Sequence, residues 1–187
     1  ISSEATITVD AVSVAGVVSS SANVCSGSNS GTLEVTGQTG DVVRWEKTTN
    51  NWVDAIVISN TTSTQDYNDL TATTKYRAII QSGACSEAIS SEATITVDAS
   101  SFGGVLSKDT AVCKGANSGT LILTGQTGSI LRWEFSTNNF VNTNSISNTT
   151  PLESFSSLTE TTKYRVVLQS GVCLAETSNE VEVTVND

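Results

Sequence analysis

Apolar and polar residues alternate along this chain in short runs of period two, the pattern of half-buried strands, and helical spacing is scarce. In "TLEVTG" Leu33 and Val35 share one side while Thr32, Glu34 and Thr36 share the other. "DVVRWEKT" places Val43, Trp45 and Lys47 on one face and Arg44 and Glu46 on the opposite one. "TKYRAIIQ" turns Tyr76, Ala78 and Ile80 inward and Lys75 and Arg77 outward. "VSVAGVV" at 12–18 reads as an earlier strand, "VDAIVIS" and "TQDYNDL" as two shorter ones. "EATITVD" reads as a closing strand with Ala93, Ile95 and Val97 inward. The glycines of "TGQTG" at 36–40 supply a tight turn.

The whole pattern recurs after 88 residues: Cys25 falls on Cys113, Trp45 on Trp133, Tyr76 on Tyr164 and Cys85 on Cys173, with no insertion or deletion. "ISSEATITVD" at 1–10 returns unaltered at 89–98 and is answered by "TSNEVEVTVN" at 177–186. Residues 1–10 therefore read as the closing strand of a preceding repeat, 11–98 as a first repeat and 99–187 as a second, an excerpt of a tandem array. The expected fold is all-β: two tandem antiparallel β-sandwiches of about seven strands each. Repeats of this size gain from neighbour contacts or covalent staples.

Composition removes most chemistry. With 19 acidic and 9 basic residues the net charge is -10, the wrong sign for nucleic acid or an anionic membrane surface. The chain has no histidine, hence no commonest general base and no commonest zinc ligand, so enzyme activity is not expected. It has no methionine, as a processed product would, and no apolar run long enough to span a bilayer. Asp41, Asp54, Asp66 and Asp69 face Ser129, Asn142, Ser154 and Ser157 in the second copy, which confines any calcium site built from them to the first. Asp10 and Asp98 stand at repeat junctions, where calcium would stiffen the array, but no dense Asp-x-Asp cluster supplies six oxygens. No cofactor is expected, with calcium as the one candidate.

Two cysteines per repeat, without a CxxC spacing, fit disulfides in an oxidising compartment. A tryptophan on the third strand (Trp45, Trp133) and a tyrosine on the sixth (Tyr76, Tyr164) read as core anchors of a sandwich. "LTATTKYRA" at 70–78 and "LTETTKYRV" in the second copy resemble the tyrosine corner of immunoglobulin-like and fibronectin type III domains. That resemblance implies that Tyr76 and Tyr164 tie the preceding turn to its neighbour through the phenol hydroxyl.

The frame "VCSGSNSGTL…TGQTG…RWE…LTATTKYRAIIQSGACS" resembles the cysteine-bracketed immunoglobulin-like repeats of giant surface adhesins of gliding and other Bacteroidetes-type bacteria, over both repeats. The resemblance implies secretion, surface display and long arrays. The leading functional expectation is a non-catalytic stalk of an extracellular adhesin or filament, stiffened by disulfides. A carbohydrate- or protein-binding module and a pilus subunit joined by donated strands are the alternatives. Partners would be neighbouring repeats, other filament chains, surface glycans or host and substratum proteins, with no nucleic acid and no direct membrane contact. Two disulfide arrangements stay open: Cys25–Cys173 across the junction, leaving Cys85 and Cys113 for repeats beyond, or Cys25–Cys85 with Cys113–Cys173 inside each repeat.

Among surface residues, Arg44, Glu46, Lys75 and Arg77 should form a cross-strand charge ladder, repeated by Arg132, Glu134, Lys163 and Arg165. Trp52 and its counterpart Phe140 are expected to cap the core. "NTT" at Asn60 and Asn148 matches the eukaryotic sequon, which the bacterial resemblance leaves without use. "DTA" at 109–111 marks Thr110 as a candidate O-glycan carrier.

Overall fold

The computed structural model describes residues 3–19, 21–107 and 109–187 and divides the chain into two units, Ile1–Val97 and Asp98–Asp187. Residues 1 and 2 of the segment read as a closing strand lie outside the described residues. Every regular element among the described residues is a strand. The first repeat carries β1 (Val17–Val18), β2 (Ala22–Cys25), β3 (Ser30–Thr36), β4 (Asp41–Thr48), β5 (Ile56–Ile58), β6 (Thr64–Asn68), β7 (Thr74–Gln81), β8 (Ala88–Ile89) and β9 (Ala93–Asp98). The second carries β10 (Val105–Leu106), β11 (Thr110–Cys113), β12 (Ser118–Thr124), β13 (Ser129–Ser136), β14 (Asn144–Ile146), β15 (Leu152–Ser156), β16 (Thr162–Gln169), β17 (Glu176–Thr177) and β18 (Val181–Asn186).

In the first repeat β1–β3–β6 make one sheet and β2–β9–β7–β4–β5 the other, with β8 added on β7. The second repeats this order as β10–β12–β15 and β11–β18–β16–β13–β14, with β17 on β16. The two sheets of each sandwich bury alternate residues against each other. Leu33 and Val35 of β3, Trp45 of β4, Tyr76, Ala78 and Ile80 of β7 and Ala93 and Ile95 of β9 form the first core. Leu121, Leu123, Trp133, Tyr164, Val166, Leu168, Val181 and Val183 form the second.

Three strand expectations need correction. Of "VSVAGVV" only β1 is a strand, with Val14 forming a lone bridge to Thr39, because Gly16 turns the chain at φ 73° between them. On β4, Val42 is the inward residue rather than Val43, because a bulge between Val42 and Arg44 inserts one residue against β7. Short strands β2 and β8 were not foreseen, since four and two residues give alternation too little length to register.

Candidate functional site

Each repeat fastens one cysteine at each of its ends. At the front of the first repeat Asp10 Oδ2 accepts the Ala84 N–H at 2.9 Å and Ser13 Oγ accepts the Ser82 N–H at 2.9 Å. Gln81 Nε2 donates to the Cys85 carbonyl at 2.9 Å, which folds the tip 81–85 over residues 10–13. Cys85 Sγ then lies 3.3 Å from the Ala11 carbonyl oxygen. Gly83 sits at φ 50° with the Asp10 carboxylate where a Cβ would be, so the tip needs glycine for space and for backbone. Asp98, Ser101, Gly171 and Val172 rebuild the arrangement in the second repeat, with Cys173 Sγ 3.3 Å from the Ala99 carbonyl oxygen.

The other cysteine sits at the back. β11 runs parallel to β18 with Cys113 opposite Asn186, and Lys114 N–H donates to the Asn186 carbonyl at 2.9 Å. Asn117 pins that turn, donating to the Cys113 carbonyl at 2.7 Å and the Leu158 carbonyl at 2.8 Å. Asn29 does the same for Cys25 and Leu70. Leu70 precedes the eight residues of β7 and Gln81 ends them, so the two cysteine positions of a repeat are separated by roughly 25 Å of strand, against the 7 Å or so a disulfide allows between α-carbons. Cys25 and Cys173 are each disulfide-bonded, whereas Cys85 and Cys113 carry free thiols.

The charged residues occupy the outer face of the larger sheet. Glu46 stands opposite Arg77 in the β4–β7 register and accepts from its Nε at 2.8 Å and Nη2 at 2.7 Å, while Arg44 Nε donates to the second carboxylate oxygen at 2.9 Å. Arg44 also grips Glu87 through Nη1 and Nη2 at 2.7 and 2.8 Å. Glu46 is buried although it faces outward, because Trp52 lies over the Arg77 guanidinium, 3.9 Å from Cζ to ring centroid. Burial by itself would raise the Glu46 pKa, and the hydrogen bonds from Arg77 and Arg44 outweigh it, holding the carboxyl below its usual range. The Glu87 pair, with that to Glu46, raises Arg44 above the ordinary arginine value.

Trp52 corrects the expectation that it caps the core. Asn51 and Trp52 adopt left-handed backbone at φ 57° and 67°, Thr48 Oγ1 accepts the Trp52 N–H at 3.3 Å, and the indole N–H donates to Glu92 at 2.6 Å. The strained loop lays an aromatic ring across the charged face, a placement that apolar alternation does not encode. Phe140 does the same over Arg165 at 4.1 Å, with Glu134 buried between Arg132 and Arg165. Lys75 stands apart from the ladder, donating to Asn51 at 2.7 Å and pairing with Glu92 at 3.1 Å, and Lys163 follows with Asn139 and Glu180.

Trp45 is fully buried and its indole N–H donates to the Thr62 carbonyl at 3.0 Å. Asn60 holds that carbonyl in place: its Oδ1 accepts from the Thr62 N–H and hydroxyl, and its Nδ2 donates to the Thr64 carbonyl at 2.6 Å. Asn148, Thr150 and Trp133 repeat the device. The "NTT" triplet thus serves the core tryptophan. Tyr76 and Tyr164 are buried, and burial raises both phenols, but neither hydroxyl bonds another described residue, unlike the corner expected from the sequence. Thr110 opens β11 in an exposed position. Among the described residues no group of three or more histidine, cysteine, aspartate or glutamate side chains could hold a metal. Among the described residues no helix is long and apolar enough to cross a membrane.

Residues 14–99 and 102–187 each match the model of one family, described as a domain of unknown function, DUF8696. No curated protein matches the chain. In fold it is similar to the three N-terminal domains of the highly immunogenic outer capsid protein (Hoc) of bacteriophage RB49, at TM-score 0.59 and 12% identity over 94% of this chain and 71% of that one. It is also similar to a chain in the mouse coronavirus receptor-binding domain complexed with its murine receptor, at 0.54 and 12% over 88% and 96%. Titin domains A168–A170 follow at 0.51 and 12%, over 94% of this chain and 68% of that one. Both repeats are immunoglobulin-like sandwiches.

Proposed function

We propose that this chain, which belongs to the DUF8696 family, is two links of a secreted, rod-like stalk of a surface adhesin or filament of the Bacteroidetes type, in which every junction is clamped by a disulfide. One observation carries the reading: the cysteines of a repeat stand at opposite ends, each against the position where one repeat hands over to the next. The Cys113 type lies beside the last residue of the closing strand, Asn186, and the Cys173 type lies beside Asp98. Asp10, Asp98 and Asn186 are one position at the 88-residue period. Cys25 would accordingly pair with Cys173, and Cys85 and Cys113 would take partners in a preceding and a following repeat.

Residues 1–10 fit that array as the closing strand of a preceding sandwich. Ile7 and Val9 are 90% and 87% exposed, whereas Ile95, the counterpart of Ile7 in the identical segment 89–98, is fully buried in β9. A disulfide and immunoglobulin-like domains suit an extracellular protein. Each link would add roughly 35–45 Å. The test combines non-reducing peptide mapping with small-angle scattering. A Cys25–Cys173 peptide and an elongated profile are expected. A Cys25–Cys85 peptide, or a profile of one compact body, would overturn the stalk.

A further inference from the structure

On the charged face the two repeats differ in the covering ring, Trp52 against Phe140, and in the outer partner of the first arginine. In the first, Arg44 is closed by Glu87, whose two carboxylate oxygens take Nη1 and Nη2 side by side at 2.7 and 2.8 Å. In the second, the residue at the Glu87 position is Ala175. The buried carboxylate behind it is retained: Arg132 Nε donates to Glu134 at 2.8 Å, as Arg44 Nε does to Glu46 at 2.9 Å, and Nη2 also pairs with the same oxygen at 2.6 Å, while the Glu134 side chain is only 5% exposed. Glu134 therefore holds the Arg132 guanidinium by its Nε, as Glu46 holds that of Arg44. Nη1 of Arg132 has no partner among the described residues, and the Arg132 side chain is 42% exposed against 30% for Arg44.

We infer that Arg132 is the anchor of a binding site in the second repeat for a single carboxylate, supplied by an acidic side chain of a protein partner where the first repeat supplies its own Glu87. The planar guanidinium is preset for two-pronged recognition, so little side-chain freedom is lost on binding. The surroundings favour a peptide over a sugar acid. Leu131 and Leu174, the chain neighbours of Arg132 and Ala175, are 43% and 86% exposed, while the equivalents in the first repeat are Val43 and Ser86. The change from Ser86–Glu87–Ala88 to Leu174–Ala175–Glu176 moves the carboxylate one residue along the chain, to a side chain with no bond to Arg132 among the described residues, and adds apolar surface, which suits an acidic residue flanked by apolar ones. The Phe140 ring is already committed to Arg165 and offers no platform for a sugar.

The test is NMR titration of the whole chain, following the arginine Nε–H signals with three probes: acetyl-Leu-Glu-Leu-amide, its glutamine analogue, and glucuronate. The Glu peptide should shift the Arg132 signal saturably, with the Gln peptide about fivefold weaker. Arg44 should stay silent. Ala175→Glu should abolish the Arg132 response by closing the site, and Glu87→Ala should open a matching response at Arg44, which keeps the result independent of either variant alone. An unshifted Arg132, an equal response to the Gln peptide, or a response that survives Ala175→Glu would overturn the site. Binding of glucuronate as tight as that of the Glu peptide would overturn the assignment to a protein partner.

Discussion

Replacing Glu46 by glutamine tests whether the buried carboxylate holds the outer face of the first repeat. The carboxylate is 8% exposed and takes Arg77 through two nitrogens and Arg44 through one. Removing one partner of a fully buried pair costs about 3–5 kcal/mol. That figure must be discounted here, because the Arg44 and Arg77 side chains are 30% and 21% exposed and can turn toward water. Arg44 also keeps Glu87, Arg77 keeps the Trp52 ring, and glutamine preserves volume and one acceptor oxygen. The remaining cost is about 2 kcal/mol, the scale of losing hydrogen bonds to a charged group. For a domain of this size that lowers Tm by about 8–16 °C. The sign with pH follows from the direction of the shift. The folded Glu46 pKa lies below its unfolded value, so its contribution is complete above the unfolded carboxylate range and is lost as pH falls through the folded value. Thermal unfolding at pH 7 and pH 3, with Ala78 amide exchange to single out the first repeat, should show a wide gap between Glu46→Gln and wild type at neutral pH. The gap should narrow in acid. Equal stability at pH 7, or a gap undiminished at pH 3, would refute the role given to this carboxylate.

Trp52→Ala uncovers Arg77 and removes the hydrogen bond to Glu92, and should cost about 1 kcal/mol in urea unfolding at pH 7; no change would mean that the ring is idle. Asn60→Ala frees the turn that offers Thr62 to the Trp45 indole, and should destabilise the first repeat by about 1–3 kcal/mol, whereas an unaltered Trp45 N–H exchange rate would contradict the link. Gly171→Ala puts a methyl into the Asp98 carboxylate at φ 48° and should speed Val172 amide exchange and slow oxidation of Cys173 during refolding; wild-type behaviour in both would show that the tip does not need glycine.

The sandwich was legible because its long strands alternate cleanly. Leu33 and Val35 on β3, and Tyr76, Ala78 and Ile80 on β7, are buried as the pattern requires. Legibility failed where backbone geometry rather than side-chain type decides. Nothing in "DVVRW" marks the bulge that turns Val42 in and Val43 aside, since both are valines. Trp52 is the same kind of failure. Its apolar character points to the core, but two successive left-handed residues carry it to the opposite face, and asparagine at position 51 is the only local sign that such a turn is tolerated.

The ends of the repeat were half legible. Strand number and length left both cysteine pairings open, and the groups that present the cysteines are a carboxylate, a hydroxyl and a glycine in loops, where no periodicity exists to read. The 88-residue register supplies the missing signal. Asp10, Ser13 and Gly83 recur as Asp98, Ser101 and Gly171, and each makes the same contact twice. Asp41, Asp54, Asp66 and Asp69 do not recur, and Asp66 and Asp54 make only exposed hydrogen bonds to Thr32 and to Asn50. Recurrence separates what the sandwich needs from what its surface carries. By that measure the arginine at 44 and 132 belongs to the scaffold, because Glu46 and Glu134 fix it in both copies, while its outer partner does not. A scaffold that orients an arginine twice and closes it once leaves an open guanidinium whose geometry is inherited and whose ligand is not.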